Sequence, residues 1–176
     1  MPPGRILLSQ TQIRSRVGQL GKSITRHYRG REPLFLGVMN GALFFLADLL
    51  RATDLEAEPC CIRLASYKGT RSSGAVRGLE LLDDSVAGRH VLIVDDILDT
   101  GRTLSALVKR VKELGAAEVK ICVLLEKRRA RQVSIKADWT GFKIADEFVV
   151  GYGLDYNGRY RGLKQVRALD PLTSSR

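Results

Sequence analysis

Residues 90–96 read HVLIVDD, a continuous apolar run that ends in carboxylates. A strand that is apolar on both faces has to be covered on both faces, as strands of a parallel sheet are when helices lie on either side. LFLGV (34–38) and VKICVLL (119–125) have the same character. Between the last two strands, TLSALVKRVKELGAA sets Leu104, Leu107, Val108, Val111 and Leu114 along one helical stripe and stops at Gly115. NGALFFLADLLR (40–51) also reads as a helix. So does the segment after Ser9 or Thr11, either of which can cap it, with Ile13, Val17, Leu20 and Ile24 recurring at three or four. CCIRLASY (60–67) and EFVVGYGL (147–154) are further strand candidates, and Leu79–Leu82 is expected to pair briefly. KGTRSSGAVRG (68–78) has no periodicity and reads as a mobile loop. Strands alternating with helices across short links predict an α/β fold with a mainly parallel sheet flanked by helices.

No linker or internal repeat interrupts the 176 residues, so one domain is expected over 1–176. Its core falls at about 30–150, with a small hood subdomain from about 1–29 and 151–176. No apolar run approaches the ~20 residues that span a bilayer, so no membrane association is expected. The apolar segment near the amino end is too short for a secretory signal. Cys60, Cys61 and Cys122 have no metal-ligand spacing and cannot all pair, which fits reduced thiols in a cytoplasmic protein. The formal net charge is +10, from 29 Lys and Arg against 19 Asp and Glu. That balance favours polyanions, whether nucleic acid, acidic lipid or a small polyphosphate.

Against this basic background, VLIVDDILDTGRTL (91–104) concentrates three aspartates at one strand end. In parallel α/β sheets ligands bind beyond the carboxyl ends of the strands, where Asp95, Asp96 and Asp99 fall. Thr100-Gly101-Arg102-Thr103 then offers backbone amides and hydroxyls at a helix amino end, where a phosphate is favoured by hydrogen bonds and by the helix dipole. Carboxylates beside anion-binding amides suit a ligand with a phosphate at one end and hydroxyls or a metal at the other. A phosphorylated sugar has that shape. Neither G-x-x-x-x-G-K-[ST] nor G-x-G-x-x-G is present.

VLIVDDILDTGRTL resembles the phosphoribosyl-pyrophosphate (PRPP) motif of type I phosphoribosyltransferases. VMNGALFFLADLLR, RLASYKG, LLEKRRAR and KADWTGFKIADEFVVGYGLDYNGRYRGL are similar, in the same order, to the hypoxanthine-guanine members of that family. The resemblance spans residues 6–165. It implies the type I phosphoribosyltransferase fold and Mg²⁺-dependent pentosyl transfer from PRPP to N9 of hypoxanthine or guanine, giving IMP or GMP and pyrophosphate in purine salvage. It further implies that Asp95 and Asp96 hold the ribose hydroxyls directly or through Mg²⁺, that Asp99 is the general base facing purine N7, and that Thr100, Gly101, Arg102 and Thr103 bind the 5′-phosphate. Met39, Asn40 and Gly41 match the pyrophosphate loop, which in the family carries a non-proline cis peptide and often a Lys where Asn40 stands. Arg131 and Arg161 match pyrophosphate-binding arginines. Lys127 matches the donor to the purine 6-oxo group, Phe148 the stacking ring, Val149 the backbone that meets the base edge, and Asp155 a ligand of a second Mg²⁺. Ser66 and Tyr67 match the tip of a lid over about 66–80. A homodimer or homotetramer is implied as well.

Two other readings share this fold. One is a xanthine-preferring transferase. The other is an RNA-binding regulator of a pyrimidine operon, for which an acid at position 99 has no need. Asp99 and the KADWTGFKIADEFVVGYGLDY segment favour the purine enzyme, so nucleic acid is not the expected partner.

Overall fold

A computed structural model of the chain describes residues 4–66, 76–128 and 133–169. The chain begins with β1 (Arg5–Leu8), α1 (Gln10–His27), β2 (Leu34–Met39), α2 (Leu43–Ala52) and β3 (Glu58–Arg63). β4 (Ala65–Ser66), β5 (Val76–Arg77) and two single 3₁₀ turns lead to β6 (His90–Leu98) and α3 (Arg102–Glu113). β7 (Glu118–Lys127), β8 (Trp139–Ile144), β9 (Val149–Val150) and β10 (Val166–Ala168) follow.

The central sheet has five strands in the order β3-β2-β6-β7-β8, all parallel, as the apolar runs require. Alternate side chains build two cores. Phe35, Leu92, Val94, Cys122 and Leu124 pack with α1 and α2. Leu34, Leu36, Val91, Ile93, Ile121 and Val123 pack with Leu104, Leu107 and Val111 of α3. Ser9 caps α1 in a reciprocal pair with Gln12: Gln12 N–H donates to Ser9 Oγ, and Ser9 N–H donates to Gln12 Oε1.

From β2 the chain builds outward to β3 on one side, and from β6 to β7 and β8 on the other. The strand order therefore reverses between β2 and β6, and a crevice opens there at the carboxyl ends. A second, antiparallel sheet in the order β1-β10-β9 brings Arg5–Leu8 beside Val166–Ala168. α1 does not stand with it alone: Ile13, Val17, Leu20 and Ile24 share one core with α2 and the central sheet.

Three expectations change. EFVVGYGL forms only the two residues of β9, which lie in the small sheet, because Gly151, Tyr152 and Gly153 all take positive φ and turn the chain. Leu79–Leu81 is a 3₁₀ turn, and the pairing with β4 falls earlier, at Val76–Arg77. WTGFKI, read for its motif and not as a strand, is the edge strand β8. Its Trp139 Nε1 donates to Ser23 Oγ at 3.1 Å, consistent with a packing role.

Candidate active site

Strand register brings most of the expected site residues to one edge. Gly37 pairs with Val94, Leu98 with Glu126 and Lys127 with Ile144. Residues 39–41, Asp95, Asp96, Asp99, Lys127 and the turn after β8 therefore all leave the sheet at its carboxyl end.

The loop after β2 contains a cis Met39–Asn40 peptide. Gly41 then passes directly over β6, where a Cβ would stand 1.9 Å from Asp96 Oδ2. On its other side Gly41 meets Gly153, whose own Cβ would lie 2.0 Å from the Gly41 carbonyl oxygen. Gly153 has φ +105°, a conformation that favours glycine. The loop is thus held between a strand end and a glycine turn with no room for a side chain on either.

Asp95 is 7 % exposed, and the Asp96 N–H donates to its Oδ1 at 2.9 Å. Burial, then the adjacent Asp96 charge, pushes the Asp95 carboxyl well above the usual carboxylate range. Burial raises Asp96 too, opposed in part by the Arg161 charge. A buried acid beside a half-buried one repels it unless a cation or hydroxyl donors meet them. Among the described residues no three His, Cys, Asp or Glu form a ready metal cage. Mg²⁺ is normally held by one or two carboxylates together with waters and substrate oxygens, and the Asp95–Asp96 pair fits that donor set.

Asp155 and Arg161 lie in the segment that supplies Gly153. Arg161 donates to the Gly153 carbonyl at 2.6 Å and pairs with Asp155 at 2.7 Å, and Asp155 Oδ2 accepts from Gly158 N–H. The guanidinium fork thereby ties the Asp155 turn to the backbone that covers Gly41.

At the amino end of α3, Gly101 has φ +81°, and a Cβ there would press Ile135 at 2.6 Å and Val133 at 3.0 Å. The N-cap is Gly101, which has no side chain to cap the helix, and the Arg102 N–H lies 3.5 Å from Thr100 Oγ1 within the turn formed by Thr100, Gly101, Arg102 and Thr103.

Lys127 ends β7 with its side chain only 12 % exposed. Its ammonium stands 3.8 Å from Asp99 Oδ2 and 2.8 Å from Asp146 Oδ1. Phe148 is 53 % exposed, an unusual state for a large aromatic, and meets Tyr156 edge-on at 5.6 Å. Leu169 N–H donates to the Phe148 carbonyl, and Val150 pairs with Arg167. By antiparallel alternation, Val149 then turns its own N–H and C=O away from β10, toward the open edge.

Arg131 and Tyr67 lie outside the described residues, as does most of the expected lid; Ser66 ends β4 at its base. Asp146 and Gly153 were not singled out from the sequence. The signal for Asp146 was an acid two residues beyond a strand end, legible only once WTGFKI is known to be a strand. A groove of about 790 Å³, lined by residues that include Val17, Phe44, Asp48 and Tyr152, holds none of the residues expected at the site.

A phosphoribosyl transferase domain model matches residues 6–157. The hypoxanthine-guanine phosphoribosyltransferase of Bacillus subtilis is 44% identical over 168 residues, 95% of this chain and 93% of that protein. The bifunctional protein TilS/HprT of Listeria monocytogenes is 45% identical over 95% of this chain, which spans only about a quarter (26%) of that relative's length. Among solved structures, the hypoxanthine phosphoribosyltransferase of Trypanosoma cruzi, in complex with the product IMP, superposes with a TM-score of 0.89 at 37% identity. That match covers 98% of this chain and 97% of the other.

Proposed function

This chain belongs to the phosphoribosyltransferase family, and from that premise we propose that it transfers the phosphoribosyl group of PRPP to N9 of hypoxanthine or guanine, forming IMP or GMP and pyrophosphate in purine salvage. The observation that carries the reading is the Lys127–Asp99 pair, 3.8 Å apart beside the amino end of α3. It sets a hydrogen-bond donor and a proton acceptor side by side, next to a phosphate-binding turn.

In this reading the 5′-phosphate sits on the amides and hydroxyls of residues 100–103, and Asp95 and Asp96 hold the ribose hydroxyls. The base stacks on Phe148, its edge meets the Val149 backbone, and Lys127 donates to the 6-oxo oxygen. Lysine is a point donor for one carbonyl oxygen, so 6-oxopurines are preferred to adenine. Asp99 takes the N7 proton as N9 bonds to ribose C1. The leaving pyrophosphate meets the backbone of residues 39–41, with Arg161 and Arg131 as its cations. A lid over about 66–80, entered from Ser66 at the end of β4 and including Tyr67, excludes water from the sugar cation. Mg²⁺, held by Asp95 and Asp96 with Asp155 at a second position, would neutralise charge on the pyrophosphate. The Asp155–Arg161 pair would open to admit it.

No helix among the described residues is long and apolar enough to cross a membrane. We place the protein in the cytoplasm, as its free cysteines suit, and expect a homodimer or homotetramer, which light scattering decides. The names of the relatives do not favour the RNA-binding reading. The deciding assay is nucleotide formation from PRPP with hypoxanthine, guanine, xanthine and adenine, with and without Mg²⁺. IMP and GMP formation that requires Mg²⁺ is expected. A clear preference for xanthine or adenine would overturn the base assignment.

A further inference from the structure

We propose that Asp146 is the positioning residue for Lys127: it holds the ammonium ready for the purine oxo group and keeps it out of hydrogen-bond contact with Asp99. The proposal rests on the purine-transfer reading and adds a residue to it.

The two distances from Lys127 Nζ differ in kind. At 2.8 Å the contact with Asp146 is a charge-assisted hydrogen bond, whereas 3.8 Å to Asp99 is an ion pair without one. The scaffold behind Asp146 is stiff. Lys127 pairs in register with Ile144, and the Arg128 N–H donates to the Ile144 carbonyl at 2.8 Å. The Glu147 N–H then donates back to the Ala145 carbonyl at 2.9 Å, which closes a tight turn that delivers Asp146 to the ammonium. Both partners are therefore placed by adjacent ends of one sheet.

A lysine side chain has several rotatable bonds, and ordering them at the moment of binding weakens affinity. Asp146 orders them beforehand, engaging one ammonium proton and leaving the others for the substrate. It also competes with Asp99. Without Asp146 the ammonium has one carboxylate left within reach, and moving about 1 Å nearer would turn the Asp99 ion pair into a hydrogen bond. The ammonium would then be hydrogen-bonded to Asp99 when that carboxylate has to accept the N7 proton. One acid thus serves two demands of the site, an oriented donor and a base kept apart from that donor.

The test compares Asp146→Ala and Asp146→Asn with wild type in the full chain. For Asp146→Ala the KM for hypoxanthine is expected to rise by about tenfold and kcat to fall, with the KM for PRPP within about twofold. Asp146→Asn keeps an acceptor oxygen and should fall between. An unchanged hypoxanthine KM in folded Asp146→Ala, or an equal rise in both KM values, overturns the proposal. A readout independent of catalysis is the ¹H–¹⁵N signal of the Lys127 ammonium, assigned by its loss in Lys127→Ala. It should be sharp in wild type and broadened by exchange in Asp146→Ala, and identical signals overturn the contact. If wild type forms no nucleotide from any base, the purine reading fails, while the ammonium signal still decides whether Asp146 holds Lys127.

Discussion

The backbone of Gly41 lies so close to the carboxylate of Asp96 that a Cβ at position 41 would stand 1.9 Å from Oδ2. The contact spans the crevice between β2 and β6, and the Gly41 carbonyl is covered in turn by Gly153. Gly41→Ala must therefore displace either the loop or Asp96. Misplacement by about 1 Å in a site of this kind costs about 10²-fold, so kcat/KM for PRPP should fall by that order. Retention of kcat/KM within about threefold in initial-rate kinetics would show that the loop is not held by Asp96.

Asp99→Asn keeps the shape of the side chain but removes its ability to take a proton. A general base is worth about 10²–10⁴-fold, and kcat should drop by that amount while PRPP still binds, as measured by calorimetry. Normal turnover in this variant would remove Asp99 from the role of base.

Asp95→Asn should trade activity for stability. Burial raises the Asp95 carboxyl, so the folded chain holds that proton more tightly than the unfolded chain does. The resulting stability is fully present below the unfolded carboxylate range, near pH 4, and is lost as pH rises through the raised folded value. At pH 7 in a chelator, wild type carries the cost of ionising buried Asp95 beside Asp96, and Asp95→Asn does not. Its melting temperature should exceed that of wild type by about 2–5 °C at pH 7, and the gain should shrink toward pH 4. A gain that is constant with pH would point to packing and not to the charge.

How much of this was legible in the sequence followed burial. β2, β6 and β7 are covered on both faces and read as unbroken apolar runs, and α3 declares itself by one apolar stripe. β8 did not, because it is an edge strand whose residues are mostly half-buried. β9 and β10 are too short for any period to show. The three aspartates of the site lie within five residues and were visible as a cluster. The Lys127–Asp146 bond joins residues 19 apart through the register of two strands, and the Arg161 fork closes onto a turn whose glycines set its path. Spacing along the chain carries no trace of either.

Phe148 offers the sharpest separation of binding from stability. With 53 % of its surface exposed and one edge-on contact to Tyr156, the ring contributes little to the core. Its neighbour Val149 is buried and fixes the strand whatever stands at 148. A base stacked on an aromatic ring is worth about 1–3 kcal/mol by alanine substitution, which corresponds to a rise of about 5- to 150-fold in the KM for the base. Phe148→Ala should show that rise with the KM for PRPP nearly unchanged and the melting temperature within about 2 °C of wild type. The pairing of a large kinetic loss with a small thermal one is what an exposed stacking platform requires. If the melting temperature falls steeply and the base KM does not move, Phe148 is a core residue and the base lies elsewhere.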